Sequence, residues 1–217
     1  VYKRQKYFRL ARQAVLEDAH ARKRVEHLVD AQLPNPLPAV EHALEALSRD
    51  LGVVHEAVSR PLGGLHVACY YGCVIGRPKG GFDDPENPTS MDRLMVALGA
   101  EPVPYDYKAR CCGGRLAVPR LGAALDMTGH LLRKAKEQGA DCLVLACPLC
   151  ATMLDTYQGA AGRRAHQPFD LPVLYFTQLM GLAFGLAPQA LGFQHNVVSP
   201  GDLLSRLPIT VETEAAS

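Results

Sequence analysis

The run "DCLVLACPLC", residues 141 to 150, restricts the fold of this chain more than any other stretch. Its apolar part does not alternate with polar residues, and it runs into a proline of the kind that opens a helix. An unbroken apolar run of this length suits a strand buried on both faces, which means a parallel sheet covered by helices above and below. Two thiols, Cys147 and Cys150, stand where such a strand hands over to its helix.

The pattern repeats from Leu65 onward. "LHVACYY" (65 to 71) reads as a short strand, followed by the loop "GRPKGGFDDPENP", whose Asn87-Pro88 pair is expected to start a helix. That helix carries Met91, Leu94, Met95 and Leu98 on one side and stops at Gly99. "EPVPYDY" (101 to 107) is a proline-containing strand expected near an edge. A second helix carries Val118, Leu121, Leu125, Thr128, Leu132 and Ala135 as a stripe and ends at Gly139. A short helix is expected from Pro148. "LPVLYF" (171 to 176) is the last strand, and the apolar helix "TQLMGLAFGL" follows. This alternation predicts an α/β fold, an open, mostly parallel sheet flanked by helices, over residues 61 to 217.

Residues 1 to 60 read as a separate helical segment. Tyr7, Leu10, Ala14 and Leu16 begin a helix whose face Val25, Leu28 and Val29 continue, and "LPNPLP" (33 to 38) breaks it. A second helix is expected from about Pro38 to Leu51, stopped by Gly52, and "SRPLGG" (59 to 64) reads as the boundary.

Composition narrows the class. With 48% hydrophobic and 21% charged residues and a formal net charge of +1, nothing favours nucleic acid or an anionic membrane as partner. No apolar run reaches the roughly 20 residues of a transmembrane helix. "VYKRQKYFRLARQ" is basic without an apolar core behind it, so no signal peptide is expected and the reading is cytoplasmic. The chain begins at Val1 rather than Met, which suggests a truncated chain with a few foreign residues at its start. Seven cysteines in that setting point to metal or redox chemistry more than to a disulfide framework.

Five of them converge. In an open parallel sheet the functional crevice lies beyond the carboxyl ends of the strands. Cys73 follows the first strand, Cys111 and Cys112 the second, Cys147 and Cys150 the third. Adjacent side chains diverge, so Cys111 and Cys112 do not share one tetrahedral zinc, and a bridge between neighbours is strained. Zinc also fits poorly because only one C-x2-C pair is present. A polynuclear iron–sulfur cluster accepts adjacent cysteines on different irons. The alternative is a thioredoxin-like use of "CPLC" at a strand–helix junction, which leaves Cys73, Cys111 and Cys112 without a role. Cys142, inside an apolar strand, reads as a core thiol, and Cys69, also within a strand, as an intermediate case. His66 and His130 read as structural, and Asp83, Asp84 and Glu86 as a solvated, helix-capping loop. Arg77, Lys79 and Arg115 are placed to attract an anionic substrate or simply to solvate the loops.

The spacing Cys73-x37-Cys111-Cys112-x34-Cys147-x2-Cys150 resembles the cysteine-rich "CCG" domain. The flanking text "CYYGCVIGRP", "FDDPENPTSMDRLMVALGAE", "YKARCCGG", "ACPLCATMLD" and "PVLYFTQLMGLAFGL" resembles the B subunit of heterodisulfide reductase and its bacterial relatives. The resemblance covers residues 65 to about 204. It implies a Rossmann-like CCG fold and a non-cubane [4Fe-4S] cluster held by Cys73, Cys111, Cys112, Cys147 and Cys150. Cys73 is preferred to Cys69 because the family's ligand follows the small residue of the "GC" pair. The family's members usually carry two such domains whose clusters face each other across a disulfide substrate. "YFRLARQAVLED" is similar to the helix that trails the first domain, so the chain is expected to be the C-terminal half. The implied partners are an iron–sulfur subunit of the C type and a flavin subunit of the A type in a reductase complex, in the cytoplasm or peripheral to a membrane complex. The other implied use is electron transfer in a lactate, glycolate or succinate dehydrogenase-type complex. With one half absent, Tyr70, Tyr71, Cys73 and Cys150 are expected to form an exposed patch.

Overall fold

A computed structural model describes residues 2–76 and 81–207. They form two compact units that divide between Ala46 and Leu47. In the first, α1 (Tyr2–Glu17) and α2 (Ala19–Val29) replace the single expected helix. The break is local chemistry. Asp18 takes an extended backbone and its carboxylate accepts the His20 N–H at 2.8 Å, which caps α2. The segment after α2 is held by arginines. Arg9 Nε donates to Val40 O and Arg12 Nε to Pro38 O, both at 2.8 Å, and Arg22 reaches Leu33 O at 2.6 Å. Tyr7, Phe8, Leu10, Leu16, Leu28 and Val29 are exposed.

The expected helix from Pro38 to Leu51 is two short ones, α3 (Ala43–Leu47) and α4 (Leu51–Glu56), and Gly52 lies inside α4 rather than ending it. The Asp50 carboxylate accepts the Val53 N–H at 3.2 Å and starts α4 anew. Residues 51 to 62 belong with the sheet. Val54 is buried, Ser59 and Arg60 N–H both donate to Ala183 O at 2.9 Å, and Leu62 N–H donates to Leu98 O.

The second unit is a four-stranded, all-parallel sheet of β1 (His66–Tyr70), β2 (Glu101–Pro102), β3 (Cys142–Leu145) and β4 (Val173–Tyr175), in the order β2-β1-β3-β4. The proline-containing β2 stands at an edge, where a missing donor does least harm. β1 and β3 are neighbours although β2 separates them in sequence, so the order reverses between them and opens a crevice beyond their carboxyl ends.

The remaining helices are α5 (Gly72–Gly76), α6 (Ser90–Ala97), α7 (Leu121–Glu137), α8 (Pro148–Ala151), α9 (Gln158–Ala165), α10 (Phe176–Ala183) and α11 (Gly201–Arg206). Strand side chains alternate between faces. Ala68, Tyr70, Leu143 and Leu145 join Leu131, Leu132 and Ala135 of α7 and Met153 and Leu154 in one core. Cys69 points the other way, toward α6, whose Met91, Leu94 and Met95 are buried. α6 starts at Ser90 and not at Pro88, because the Asp83 carboxylate takes the Thr89 and Ser90 N–H groups. α7 likewise starts at Leu121, so Val118 lies outside it and is exposed. A π-turn (Thr152–Thr156) joins α8 to α9, which makes the expected short helix after Pro148 a longer one.

Candidate thiol site

Each thiol owes its place to a strand end. Cys73 sits in α5, directly after a turn at Gly72, whose φ of +66° is open to glycine at little cost. Tyr71 and Gly72 N–H both donate to Lys108 O at 2.9 Å, which ties the loop after β1 to the loop that carries Cys111 and Cys112. Gly113, at φ +82°, turns the chain directly after that pair. Thr128 of α7 donates its hydroxyl to Cys112 O at 3.2 Å, and Gly113 N–H lies 3.4 Å from Cys111 Sγ. Cys147 is the N-cap residue of α8, with Pro148 at the first helical position, and Cys150 lies one turn on.

The loops bring the five thiols into one interacting set. Cys112 and Cys150 Sγ are 3.4 Å apart. Cys150 stands between Cys112 and Cys147, and the proximity of these two thiols, together with burial, raises its own pKa. The same contact lowers Cys112, helped by the Gly114 N–H and Tyr70, and lowers Cys147, helped by the Cys150 and Leu149 N–H groups. Burial raises Cys73, and its neighbours Cys111 and Cys112 add to that. All seven cysteines are free thiols.

Cys69 and Cys142 stand apart. Both are buried in strands, and burial raises both. The groups that act on Cys69 are Asp92, Lys108 and Cys142, none of them among the five. His66 is exposed beside Asp141, and the exposed His130 stacks edge-on to Tyr107 at 4.9 Å. Arg115 is exposed, and Arg77 and Lys79 lie outside the described residues.

The expected exposed patch is not there. Tyr70, Tyr71 and Cys150 are 1%, 2% and 5% exposed, and Cys73 is half-buried. Tyr70 packs in the core under the thiols. Tyr71 turns to the opposite face, where its hydroxyl bonds Asp92 and receives the Met91 and Asp92 N–H groups.

Two residues outside the expected ligand set stand beside the thiols. Tyr70, the last residue of β1, interacts with Cys111, Cys112 and Cys150, and Tyr175, the last residue of β4, with Cys147 and Cys150. A strand-end position, like that of the cysteines, is the one signal of this that the sequence carries.

The five thiols are soft sulfur donors with no carboxylate among them, a set whose chemistry suits an iron–sulfur cluster. Among the described residues no three His, Cys, Asp or Glu side chains gather as a single metal ion requires. Cys150 stands between Cys112 and Cys147, and Cys73 beside Cys111 and Cys112, so the thiols adjoin one another from loop to loop.

Comparison with known proteins agrees in kind. Residues 67–155 match the model of the CCG cysteine-rich domain. The chain is 38% identical over 161 residues to the 8-methylmenaquinol:fumarate reductase membrane anchor subunit of Wolinella succinogenes, covering 73% of this chain and 57% of that protein. It is 35% identical over 175 residues to the B subunit of the ferredoxin:CoB-CoM heterodisulfide reductase of Methanosarcina mazei, covering 77% of this chain and 58% of that one. The B subunit of a ferredoxin/F(420)H(2)-dependent CoB-CoM heterodisulfide reductase from Methanosarcina acetivorans is 33% identical over 174 residues. The chain thus spans a little over half the length of these relatives. A crystal structure of a hypothetical protein from Helicobacter pylori, 12% identical, shares the fold with a TM-score of 0.62, over 87% of this chain and 35% of that one. Among the described residues no helix is long and apolar enough to cross a membrane. With its thiols at the carboxyl edge of a parallel sheet, this chain carries a CCG cysteine-rich domain over residues 67–155 and is homologous to part of the B subunit of heterodisulfide reductase.

Proposed function

We propose that this chain binds a non-cubane [4Fe-4S] cluster through Cys73, Cys111, Cys112, Cys147 and Cys150 and serves as the B-type component of a heterodisulfide reductase-like complex. The observation that carries this is the set of thiol contacts that joins three loops far apart in sequence, including the 3.4 Å approach of Cys112 to Cys150. When bound, the cluster supplies one-electron transfer and an iron able to take a substrate sulfur.

The chain's own residues prepare the site. The Leu149 and Cys150 N–H groups favour a thiolate at Cys147, and the Gly114 N–H does the same at Cys112. Gly72 leaves room where a Cβ would stand 3.3 Å from Cys150 Sγ. The core under the thiols excludes water from the buried side. The overall conversion adds two electrons and two protons to one disulfide and releases two thiols. Its electrons come from a partner iron–sulfur subunit of the C type, with a flavin subunit of the A type upstream. Residues 1 to 60 are read as the segment that follows an upstream CCG domain, and residues 61 to 217 as the C-terminal CCG domain. The complex is cytoplasmic or peripheral to a membrane assembly.

The test is anaerobic reconstitution followed by iron and sulfide analysis. Cys111→Ser and Cys112→Ser should each lose iron, whereas Cys142→Ala should load like the parent. Equal iron in all three overturns the reading. A protein that takes no iron but reduces disulfides through Cys147 and Cys150 would be a thiol–disulfide oxidoreductase. The likeness to the Wolinella succinogenes protein supports a second reading, an electron-transfer CCG subunit of a dehydrogenase- or fumarate reductase-type complex. Electron exchange with a quinol, without disulfide cleavage, would favour it.

A further inference from the structure

Tyr70 has a hydroxyl where a phenylalanine would pack as well. It ends a central strand, is 1% exposed, and lies in the core shared with Cys112 and Cys150. Its hydroxyl donates to Arg110 O at 2.7 Å, the carbonyl immediately before the Cys111–Cys112 pair. Across the turn at Gly72, the point where a Cβ would stand is 3.3 Å from Cys150 Sγ, 3.5 Å from Tyr70 Cε1 and 3.6 Å from the Tyr70 hydroxyl. The tyrosine ring edge, its hydroxyl and the Cys150 sulfur therefore all border the opening that glycine leaves at residue 72. Tyr70 is also among the groups that lower the pKa of Cys112. Tyr71 is the contrast, since its hydroxyl is fully engaged by α6 on the far face.

A phenol has one proton to give, and here it goes to the Arg110 carbonyl with the sulfur of Cys150 beside it. The Arg110 carbonyl is neutral. A sulfur that ligates iron carries negative charge, and hydrogen bonds to charged acceptors are roughly twice as strong as neutral ones. From these contacts we infer that, with a cluster held there, the Tyr70 hydroxyl turns from Arg110 O to the sulfur edge of the site and so sets the reduction potential of the cluster. The inference rests on the proposed cluster. A hydrogen bond to sulfur stabilises the more negative, reduced state, so Tyr70 raises the potential. Burial strengthens the effect, because no water competes for the proton.

The test uses the full chain, reconstituted anaerobically, as parent, Tyr70→Phe and Tyr105→Phe. Tyr105 is an equally buried phenol of the same core, but its hydroxyl donates to Leu131 O at 3.1 Å. Iron and sulfide are measured first, then the midpoint potential by a redox titration followed by electron paramagnetic resonance. Exchangeable protons coupled to the cluster are read by electron–nuclear double resonance in H2O and D2O. All three proteins should load equal iron. Tyr70→Phe should titrate at a more negative potential and lack one exchangeable proton coupling, while Tyr105→Phe matches the parent. An unchanged potential with equal iron overturns the role of Tyr70 and leaves the cluster reading standing. A Tyr70→Phe protein that folds but takes no iron overturns it too, because Tyr70 is then needed for assembly and not for tuning. A parent that takes no iron removes the cluster reading, and this inference with it.

Discussion

Gly113→Ala tests whether the turn after the cysteine pair is set by packing against α7 or only by backbone conformation. Gly113 has φ +82°, and a Cβ there would meet Ala124 Cα at 2.8 Å, Ala124 O at 3.1 Å and Ala124 Cβ at 3.2 Å. Two costs add. A left-handed conformation costs a non-glycine residue about 1–2 kcal/mol. Forcing a methyl into a packed site costs about 1–3 kcal/mol more. The atoms it meets are mostly backbone, which cannot swing aside. Gly139→Ala isolates the first cost, because Gly139 has φ +76° with nothing within 4 Å of its Cβ position. The expected losses are therefore about 3 kcal/mol for Gly113→Ala and about 1–1.5 kcal/mol for Gly139→Ala. For a domain of this size these correspond to falls in melting temperature of roughly 9 °C and 4 °C. Both glycines lie in the sheet unit, so urea unfolding followed by circular dichroism compares them on one transition. Because Thr128 of α7 bonds Cys112 O, a shift of α7 also moves Cys112 relative to Cys150. Gly113→Ala should consequently take up less iron on reconstitution and Gly139→Ala should not. Equal losses, within about 0.5 kcal/mol, would refute the packing account.

Lys108 Nζ donates to Asp92 Oδ1 at 2.8 Å with both side chains largely buried, so Lys108→Met should cost on the order of 3 kcal/mol by stranding a carboxylate. The double variant Lys108→Met/Asp92→Leu should recover part of that in urea unfolding, and a further loss would count against the pairing. Asp141 titrates below the usual carboxylate range: burial alone would raise it, but the His66 N–H and the Arg206 guanidinium outweigh burial. Its contribution is present above the unfolded carboxylate pKa of about 4 and fades as pH falls through the lower folded value. The stability gap between the parent and Asp141→Asn should shrink as pH drops below about 4, and a gap that widens there would contradict the sign.

The α/β class was legible in the sequence because periodicity and breakers are local signals. The unbroken apolar text of residues 142 to 145 could only be a strand buried on both faces, and Cys142 sits in it, fully buried. The glycines at 72, 99, 113 and 139 all take positive φ, where turns needed them. Placing thiols at the carboxyl edge follows from the strand boundaries alone. Boundaries that depend on one side chain were not legible. Asp18 splits the first helix, Asp50 restarts one through Gly52, and Asp83 moves the start of α6 past Pro88. Each carboxylate reaches a few residues ahead, and only the folded turn decides which N–H it meets.

What only the tertiary structure decided is which groups face the thiols. The loop after β2 is tied to the end of β1 through Lys108 O, and β1 lies beside β3, so residues 38 apart, Cys112 and Cys150, come within 3.4 Å. Alternation along β1 then sends Tyr70 to the thiol face, while Tyr71 bonds Asp92 of α6 on the other. In the sequence these two tyrosines are neighbours of one kind. The sheet, being two-sided, gives the first a place among sulfurs and the second a half-buried carboxylate and a buried lysine.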